Sequence, residues 1–440
     1  MKRQVWIFSF LLINVFALNA QTKTLSLEEA VQLGVQNSKQ LKLSQSKIDQ
    51  ATSQLEQSKD AALPSAKVSV GYEHALMLSR KLSIPGDTAK SGTIKLPFDN
   101  PLYQATLSIN EPIFQGNEFK YAKRSANLLI KMSKLDAEKD KDEVVYTIIS
   151  SYINYYKIKQ SQDIVEQDLK DIQNKLDEIS KYENQGLATL NDVLRFQLQK
   201  SNTQLTQIEL ENNRKIANYN LNVLLGLPDS IVLQVQEVSY KLDVNNPLDQ
   251  YLQQALRDRK EFGSITYQSE IADINIKKVH DEKLPTISAG GNLYYFNLSK
   301  PIIPSSGAFL APFVIGINAS WDISTLYKNK NKLIEADIEK RQVDISRDIQ
   351  VDKVKTEVNQ SYREYELALE KIKVLQDAVT QSTENEREME SKFHNNLATT
   401  TDRIDAQTIV YQSRINLELA KSDATLAYYT LLKSIGHIQP

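Results

Sequence analysis

Hydrophobic residues recur with a helical period over two long stretches of the chain, and each stretch turns back on itself. No proline or glycine interrupts residues 119–185, so a single helix of about 100 Å is predicted there. Such a helix cannot be buried in one compact domain, so it must pack lengthwise on other helices. Its apolar residues step by four and three, which is the spacing of a coiled-coil seam: Val165, Leu169, Ile172, Leu176 and Ile179.

Other segments carry apolar residues at every second position, the period of strands with one apolar face. In one of them Leu107 and Ile109 alternate with Ser108 and Asn110. Strands are predicted at about residues 65–77, 103–114, 286–297 and 313–322.

The apolar faces of these strands need a cover, and two kinds of cover are possible. A soluble sheet would pack on a core, but the neighbouring helices carry no spare wide apolar face for that purpose. A transmembrane barrel places apolar residues against lipid, and Tyr103, Phe313 and Trp321 suit its aromatic ends. Because a barrel needs roughly eight or more strands, four strands must be pooled with those of other subunits. An oligomer is therefore expected.

The chain consists of two copies of one unit. Leu187-Ala188-Thr189 returns 210 positions later as Leu397-Ala398-Thr399, and Leu63-Pro64 returns 221 positions later as Leu284-Pro285. Each unit has two helices, a strand pair and a long helical hairpin, so the fold class is mainly α with transmembrane β. The predicted organisation is a first repeat at residues 21–226 with its hairpin at 117–226, a linker at 227–247, and a second repeat at 248–440 with its hairpin at 325–436.

Composition narrows the class of protein further. The net charge is −2, which gives no indication of nucleic-acid binding. Residues 1–20 resemble a secretory signal, with Lys2 and Arg3 before an apolar run that ends near Ala20. Because cysteine is absent, we expect no disulfide, no thiolate metal site and no acylated lipoprotein anchor. No other apolar run approaches twenty residues, so no membrane-spanning helix is expected.

Candidate chemistry is sparse. There is no phosphate loop, nucleophile motif or cofactor fingerprint, and the histidines stand far apart without metal-ligand spacing. We therefore predict no catalytic residue, cofactor or metal. The histidines, for which surface positions are expected, are His74, His280, His394 and His437.

The carboxylates at the two turns have more than one interpretation. Asp192 and Asp402 each stand three residues after a threonine, which is the pattern of a helix capping box. Asp405 lies outside that box and shares a helix face with Asp402. In a threefold assembly, Asp402 and Asp405 would form two stacked rings of negative charge. Capping and a charged entrance are both compatible with these positions.

This duplicated arrangement resembles the TolC-type outer-membrane efflux protein family. The similarity covers the chain after residue 20. Its local marks are residues 110–116 (NEPIFQG), the turn segments 186–194 and 396–405, and Leu224-Leu225-Gly226.

The resemblance implies a homotrimer in the outer membrane, with a twelve-stranded β-barrel continued by a periplasmic α-helical barrel. It implies a periplasmic adaptor protein and an inner-membrane pump of the RND or ABC type as partners. It places Asp402 and Asp405, with Asp192, at the periplasmic entrance. One family member has an arginine where this chain has Ala398, so an arginine lock between hairpins is not expected here. The segments expected to dock the adaptor are Gly186-Leu187-Ala188 and Asn396-Leu397-Ala398.

The sequence thus predicts a passive outer-membrane channel of an efflux or type I secretion system. A soluble periplasmic coiled-coil scaffold or binding protein is the alternative from another class. The strands discriminate between them, because a channel needs detergent for extraction whereas a scaffold leaves with the soluble periplasm.

Overall fold

The computed structural model describes residues 22–76, 82–83, 93–94, 99–238, 246–298 and 309–438. The predicted secretory signal at residues 1–20 lies outside them. The helices are α1 Leu27–Asn37, α2 Lys39–Asp60, α3 Glu118–Asn184, α4 Leu190–Leu225, α5 Leu248–Asp258, α6 Lys260–Asp281, α7 Thr325–His394 and α8 Thr400–Ser434. The strands are β1 Thr22–Leu25, β2 Ser65–Leu76, β3 Leu82–Ser83, β4 Thr93–Ile94, β5 Asp99–Gln115, β6 Val232–Val235, β7 Thr286–Leu298, β8 Phe309–Leu310 and β9 Phe313–Ser320.

The mainly helical fold with a small sheet is the fold class that the sequence predicts. The helix α3 covers 67 residues without a break, as expected from a stretch that lacks proline and glycine. At the start of the first repeat, Ser26 and Glu29 form a complete capping box before α1. The Glu29 amide donates to the Ser26 hydroxyl at 3.2 Å, and the Ser26 amide donates to the Glu29 carboxylate at 2.9 Å.

One compact unit comprises the described parts of residues 1–43, 137–260 and 351–440. Its core contains fully buried Tyr152 and Tyr155 of α3, which pack with Leu221 and Leu225 of α4. The short strands β1 and β6 pair in parallel, with Thr22 opposite Val232.

The two buried tyrosines fasten this two-stranded ribbon to α3. The Tyr152 hydroxyl donates to the Leu25 carbonyl at 2.8 Å and accepts from the Gln236 amide at 2.9 Å. The Tyr155 hydroxyl donates to the Leu233 carbonyl at 2.7 Å. Because both hydroxyls are paired, the tyrosines can be buried without the penalty of an unsatisfied polar group.

The other unit comprises the described parts of residues 44–136 and 261–350, and it contains the main sheet. Its strand order is β2-β5-β7-β9, with every neighbouring pair antiparallel, and β8 pairs with the far end of β7. Among the described residues, β2 and β9 each have one partner strand, so both edges of the sheet are open.

The register places the predicted apolar residues in one row across the sheet. Leu107 lies opposite both Val68 and Leu293, and Leu293 lies opposite Phe313. All residues of β9 are exposed within the chain. The adjacent residues of the four strands form a second row, which points to the opposite face of the sheet. This row contains three polar residues and one valine: Lys67, Ser108, Asn292 and Val314.

The junction between the sheet and the next helix depends on a glycine. Gly116, with φ of +57°, follows β5, and a Cβ there would lie 2.7 Å from the Asp281 carbonyl oxygen. Both the backbone conformation and the close approach therefore favour glycine. The Asp281 carboxylate accepts from Asn117 at 2.9 Å and from Tyr121 at 2.8 Å, which joins α6 to the first turn of α3.

Among the residues described, none of the helices combines the length and the apolar character needed to cross a membrane.

Candidate functional site

The candidate site lies at the two hairpin turns, which have the same backbone design. Gly186 adopts φ of +74° after α3, and the Leu187 amide donates to the Tyr182 carbonyl at 2.8 Å. Asn396 adopts φ of +58° after α7, and the Leu397 amide donates to the Lys392 carbonyl at 2.8 Å. Asparagine tolerates the left-handed region better than other residues with a side chain. The replacement of glycine by asparagine therefore preserves the turn.

Both turns lead into capping boxes. The Thr189 amide donates to the Asp192 carboxylate at 2.9 Å, and the Asp192 amide donates to the Thr189 hydroxyl at 3.3 Å. In the second turn, the corresponding distances between Thr399 and Asp402 are 2.8 and 3.2 Å. The helix-start pattern in the sequence thus has its full local geometry in both copies.

Capping lowers the pKa of both aspartates. For Asp402 the main cause is the hydrogen bond from the Thr399 amide. Partial burial opposes ionisation of Asp192, but hydrogen bonds from Thr189 and from the Thr400 hydroxyl outweigh it, so its pKa is also lowered.

The predicted entrance residues differ in their exposure. Asp402 and Asp405 are exposed, whereas Asp192 is half-buried. Capping engages one oxygen atom of Asp402 and leaves its charge at the surface. Asp405 lies outside the capping box, so its position is independent of that role.

The leucines of both turns are exposed, although each is a large apolar residue. Leu187 is 74% exposed and Leu397 is 76% exposed, while Ala188 and Ala398 are half-buried. The turn geometry itself requires only backbone hydrogen bonds at the leucine positions. Each hairpin therefore ends in one exposed apolar side chain, Leu187 in the first and Leu397 in the second.

A buried arginine close to the turns was not anticipated from the sequence. The side chain of Arg403 in α8 is 3% exposed. Its Nη2 lies 2.6 Å from the Glu178 carboxylate in α3, and its Nε lies 2.7 Å from the Glu390 carboxylate in α7. Its guanidinium also lies 4.7 Å from the centre of the Phe393 ring. Burial disfavours the charge, but hydrogen bonds to Glu390 and Glu178 outweigh it and raise the pKa of Arg403.

Another buried polar group lies further along the hairpins. Asp168 of α3 is 7% exposed and accepts from Gln407 of α8 at 3.1 Å and from Thr203 of α4 at 3.4 Å. Burial raises its pKa, and the neighbouring Asp171 adds to this effect. A cavity of about 380 Å³ lies beside this layer. Its lining includes Asp168, Asp171, Gln407 and Tyr411.

The described residues contain no group of three or more histidine, aspartate or glutamate side chains arranged to hold a metal ion. Individual histidines pair with nearby acids, for example His437 Nε2 with Asp258 at 2.7 Å and His394 Nε2 with Glu390 at 3.3 Å.

Comparisons of this chain with known proteins, by sequence and by structure, both point to outer membrane proteins. The model of the family described as outer membrane efflux protein matches residues 30–227. VceC from Vibrio cholerae is 14% identical and has a TM-score of 0.72, over 94% of this chain and 96% of that one. The CmeC outer membrane channel of Campylobacter jejuni is 15% identical, with a TM-score of 0.71 over 93% and 85%.

The MtrE outer membrane channel of Neisseria gonorrhoeae is 14% identical, with a TM-score of 0.68 over 93% of this chain and 88% of that one. At this level of identity, the structural likeness shows a shared fold. No curated protein matches the chain in sequence.

Proposed function

We propose that this chain is a member of the outer membrane efflux protein family, whose model matches residues 30–227, and that it is the outer-membrane channel of a tripartite efflux or type I secretion system. It conducts substrates passively from a periplasmic adaptor and an inner-membrane pump of the RND or ABC type to the exterior, without catalysis. The observation that carries the proposal is the main sheet, whose four longer strands β2, β5, β7 and β9 carry an apolar row and whose edges are open among the described residues.

An open sheet edge is not tolerated in lipid, because its amide and carbonyl groups would have no partners. Three copies would supply twelve strands and close the sheet into one barrel. Long helical arms of three copies would then continue into the periplasm. The strand count by itself requires an oligomer, and the trimer is the assembly that the resemblance to the TolC-type family implies.

The outer face of α4 supports association with other copies. Its exposed apolar side chains recur with helical spacing, so they form a continuous stripe. A stripe of this kind is expected to be covered by a neighbouring helix in an assembly. Its members are Leu194, Leu198, Leu205, Ile208 and Ile216.

In this assembly, Asp402 and Asp405 form two rings of negative charge at the periplasmic entrance. Three chains with two carboxylates each would favour cations and retain divalent ions in the pore. The exposed leucines at the turns, Leu187 and Leu397, are the contact points for the adaptor. The Leu-Ala-Thr turn of each copy presents one of them.

Planar-bilayer recordings test the channel and its entrance. The double variant Asp402→Asn with Asp405→Asn removes both charges while an amide oxygen remains for capping. We expect larger conductance, weaker cation preference and relief of block by divalent cations. Asp192→Ala separates capping from an entrance role at that residue: as a cap, half-buried Asp192 should contribute about 1 kcal/mol of stability and little to selectivity. Unaltered conductance and unaltered block in the double variant would contradict the entrance role.

Extraction and crosslinking test the rest of the proposal. Release of the tagged protein with the soluble periplasm, without detergent, would instead identify a periplasmic scaffold. Glutamate at Leu187 and Leu397 should abolish adaptor crosslinking and export while trimer formation continues. If these variants still crosslinked to the adaptor and still supported export, docking at the turns would be contradicted.

A further inference from the structure

We propose that the cavity lined by α3, α7 and α8 binds a small molecule through its primary ammonium group, which donates to the Gln407 side-chain carbonyl and to the carboxylates of Asp168 and Asp171. The inference goes beyond the proposed function, because it concerns binding within one chain and does not depend on conduction. All residues of the cavity belong to one compact unit. The proposed entrance residues, Asp402 and Asp405, are not part of its lining.

The Gln407 side chain presents an acceptor that no other described residue uses. It is 5% exposed and lines the cavity. Its Nε2 donates to Asp168 at 3.1 Å, whereas its Oε1 has no hydrogen-bond partner among the described residues. An ionised carboxylate only accepts hydrogen bonds, so the amide must direct its nitrogen toward Asp168 and its oxygen elsewhere. Because a buried carbonyl oxygen without a donor is costly, a donor that enters the cavity is favoured there.

Two carboxylates of the same lining supply negative charge. Asp168 is 7% exposed, and its two oxygens accept from Gln407 and from Thr203. Each carboxylate oxygen has two lone pairs, so both can accept once more. Asp171 is half-buried, and its like charge adds to burial in raising the pKa of Asp168. A cation near both carboxylates would relieve the two effects together.

The remaining acids of the lining already have cationic partners. Lys159 Nζ lies 2.8 Å from the Asp163 carboxylate, and Lys175 Nζ lies 2.8 Å from the Glu386 carboxylate. Within the described part of the chain, no salt bridge to a lysine or an arginine involves the two acids of the proposed site. The uncompensated negative charge of the cavity therefore lies where the free amide oxygen is.

The other walls suit the body of a small amine. Ile164, Val410 and Tyr411 line the cavity and offer apolar surface to an alkyl chain. The volume of about 380 Å³ is within the range of roughly 300–1,000 Å³ that small-molecule sites occupy. Arg414 also lines the cavity and would repel a second positive charge, which favours a monoamine over a diamine.

The donor and acceptor chemistry selects an ammonium over other occupants. Calcium needs about six to eight oxygen ligands, and the described residues contain no group of three acids or histidines arranged to hold a metal ion. An ammonium has three N–H donors, which match the three acceptors of the site. A water molecule can donate to Gln407, but it cannot balance the charge of Asp168 and Asp171.

Calorimetric titration of the purified full chain with n-butylammonium chloride tests the proposal, with n-butanol as the neutral ligand of the same chain length. At low ionic strength we expect saturable binding of n-butylammonium and binding of n-butanol that is about tenfold or more weaker, because hydrogen bonds to charged groups are the stronger ones. Equal binding of both ligands would show an apolar cavity only. Absence of n-butylammonium binding to the folded chain would leave the cavity to water. Either result would overturn the inference.

Variants of the lining locate the bound ammonium. Asp168→Asn keeps the size of the side chain and removes its charge, and Gln407→Met keeps an unbranched side chain and removes the carbonyl. Each should weaken binding of n-butylammonium about tenfold or more. Asp163→Asn is the matched control, because Asp163 lines the same cavity but is exposed and pairs with Lys159, so it should change the affinity about twofold or less. Far-UV circular dichroism verifies that each variant is folded.

A last variant separates this site from the proposed entrance. Asp402→Asn with Asp405→Asn removes the exposed carboxylates near the turn and should leave the affinity for n-butylammonium unchanged. Full affinity in Asp168→Asn, or loss of binding in the Asp402 and Asp405 variant alone, would place the cation elsewhere and overturn the inference.

Discussion

Replacing Ile317 by lysine tests whether the apolar face of the sheet meets lipid. Ile317 lies in β9 opposite Ala289, and its side chain is 78% exposed within the chain. If this face met water, such an exposed substitution would change the free energy of unfolding by about 0.5 kcal/mol or less. If it meets lipid, a lysine near the bilayer midplane costs about 2–4 kcal/mol.

That range corresponds to a change of about 30- to 900-fold in the folding equilibrium, since 1.36 kcal/mol is a factor of ten. The measurement is urea unfolding of the protein in lipid vesicles at a fixed chain concentration, because an oligomer's stability depends on concentration. The free energies of wild type and variants are then compared directly.

Asn318→Lys is the matched control, because the next residue on a strand points to the opposite face. It lies opposite Ser288, so the new lysine meets no like charge. Leu107→Lys in β5 gives an independent check. Ser108 is a poor control for it, since Ser108 lies directly opposite Lys67 and two cations would repel. Equal stability of the Ile317 and Asn318 variants would refute the lipid-facing assignment.

Three further changes have defined outcomes. Tyr152→Phe removes a buried, paired hydroxyl and should lower the free energy of unfolding by about 1–3 kcal/mol in denaturant titration, whereas Tyr219→Phe at an exposed position should not. Burial raises the pKa of Asp168, so the folded state holds its proton more tightly and its contribution to stability falls as pH rises from about 4 through the raised pKa. Asp168→Asn should abolish this dependence and stabilise the protein at neutral pH; a steeper loss in the variant would contradict this sign. Asn396→Val should lower thermal stability because a β-branched residue resists a φ of +58°, while Asn396→Gly should not.

The parts of the fold that sequence predicts are those set by local pattern. The capping boxes follow from a threonine and an aspartate three residues apart, and the strand faces follow from simple alternation. The first copy's second strand was expected from residue 103, but β5 begins at Asp99, where it pairs with Leu76. Pro101 interrupts the pattern there, so the partner strand rather than the sequence sets the boundary.

The parts that were missed depend on partners far away in the chain. The strand β1 has four residues, too few for a periodic signal, and its pairing requires β6. Arg403 stands in a helix with many charged residues, and only the packing of Glu178 and Glu390 around it makes it buried. Asn396 stands where the first hairpin has Gly186, and its backbone angle rather than its identity shows that the turn is kept.

Because β1 pairs with β6, the first strand can form only when a segment from the middle of the chain is present. Without Val232–Val235, residues 22–25 have no partner strand, and without Gln236 the Tyr152 hydroxyl lacks one of its hydrogen-bond donors. The helices of the first hairpin can form earlier, since their hydrogen bonds are local, but the ribbon closes a long loop and is correspondingly slow. This core can therefore be completed only after residues 232–236 have been synthesised. A chain truncated before residue 232 would form a helical hairpin in which the buried tyrosines are still exposed to water.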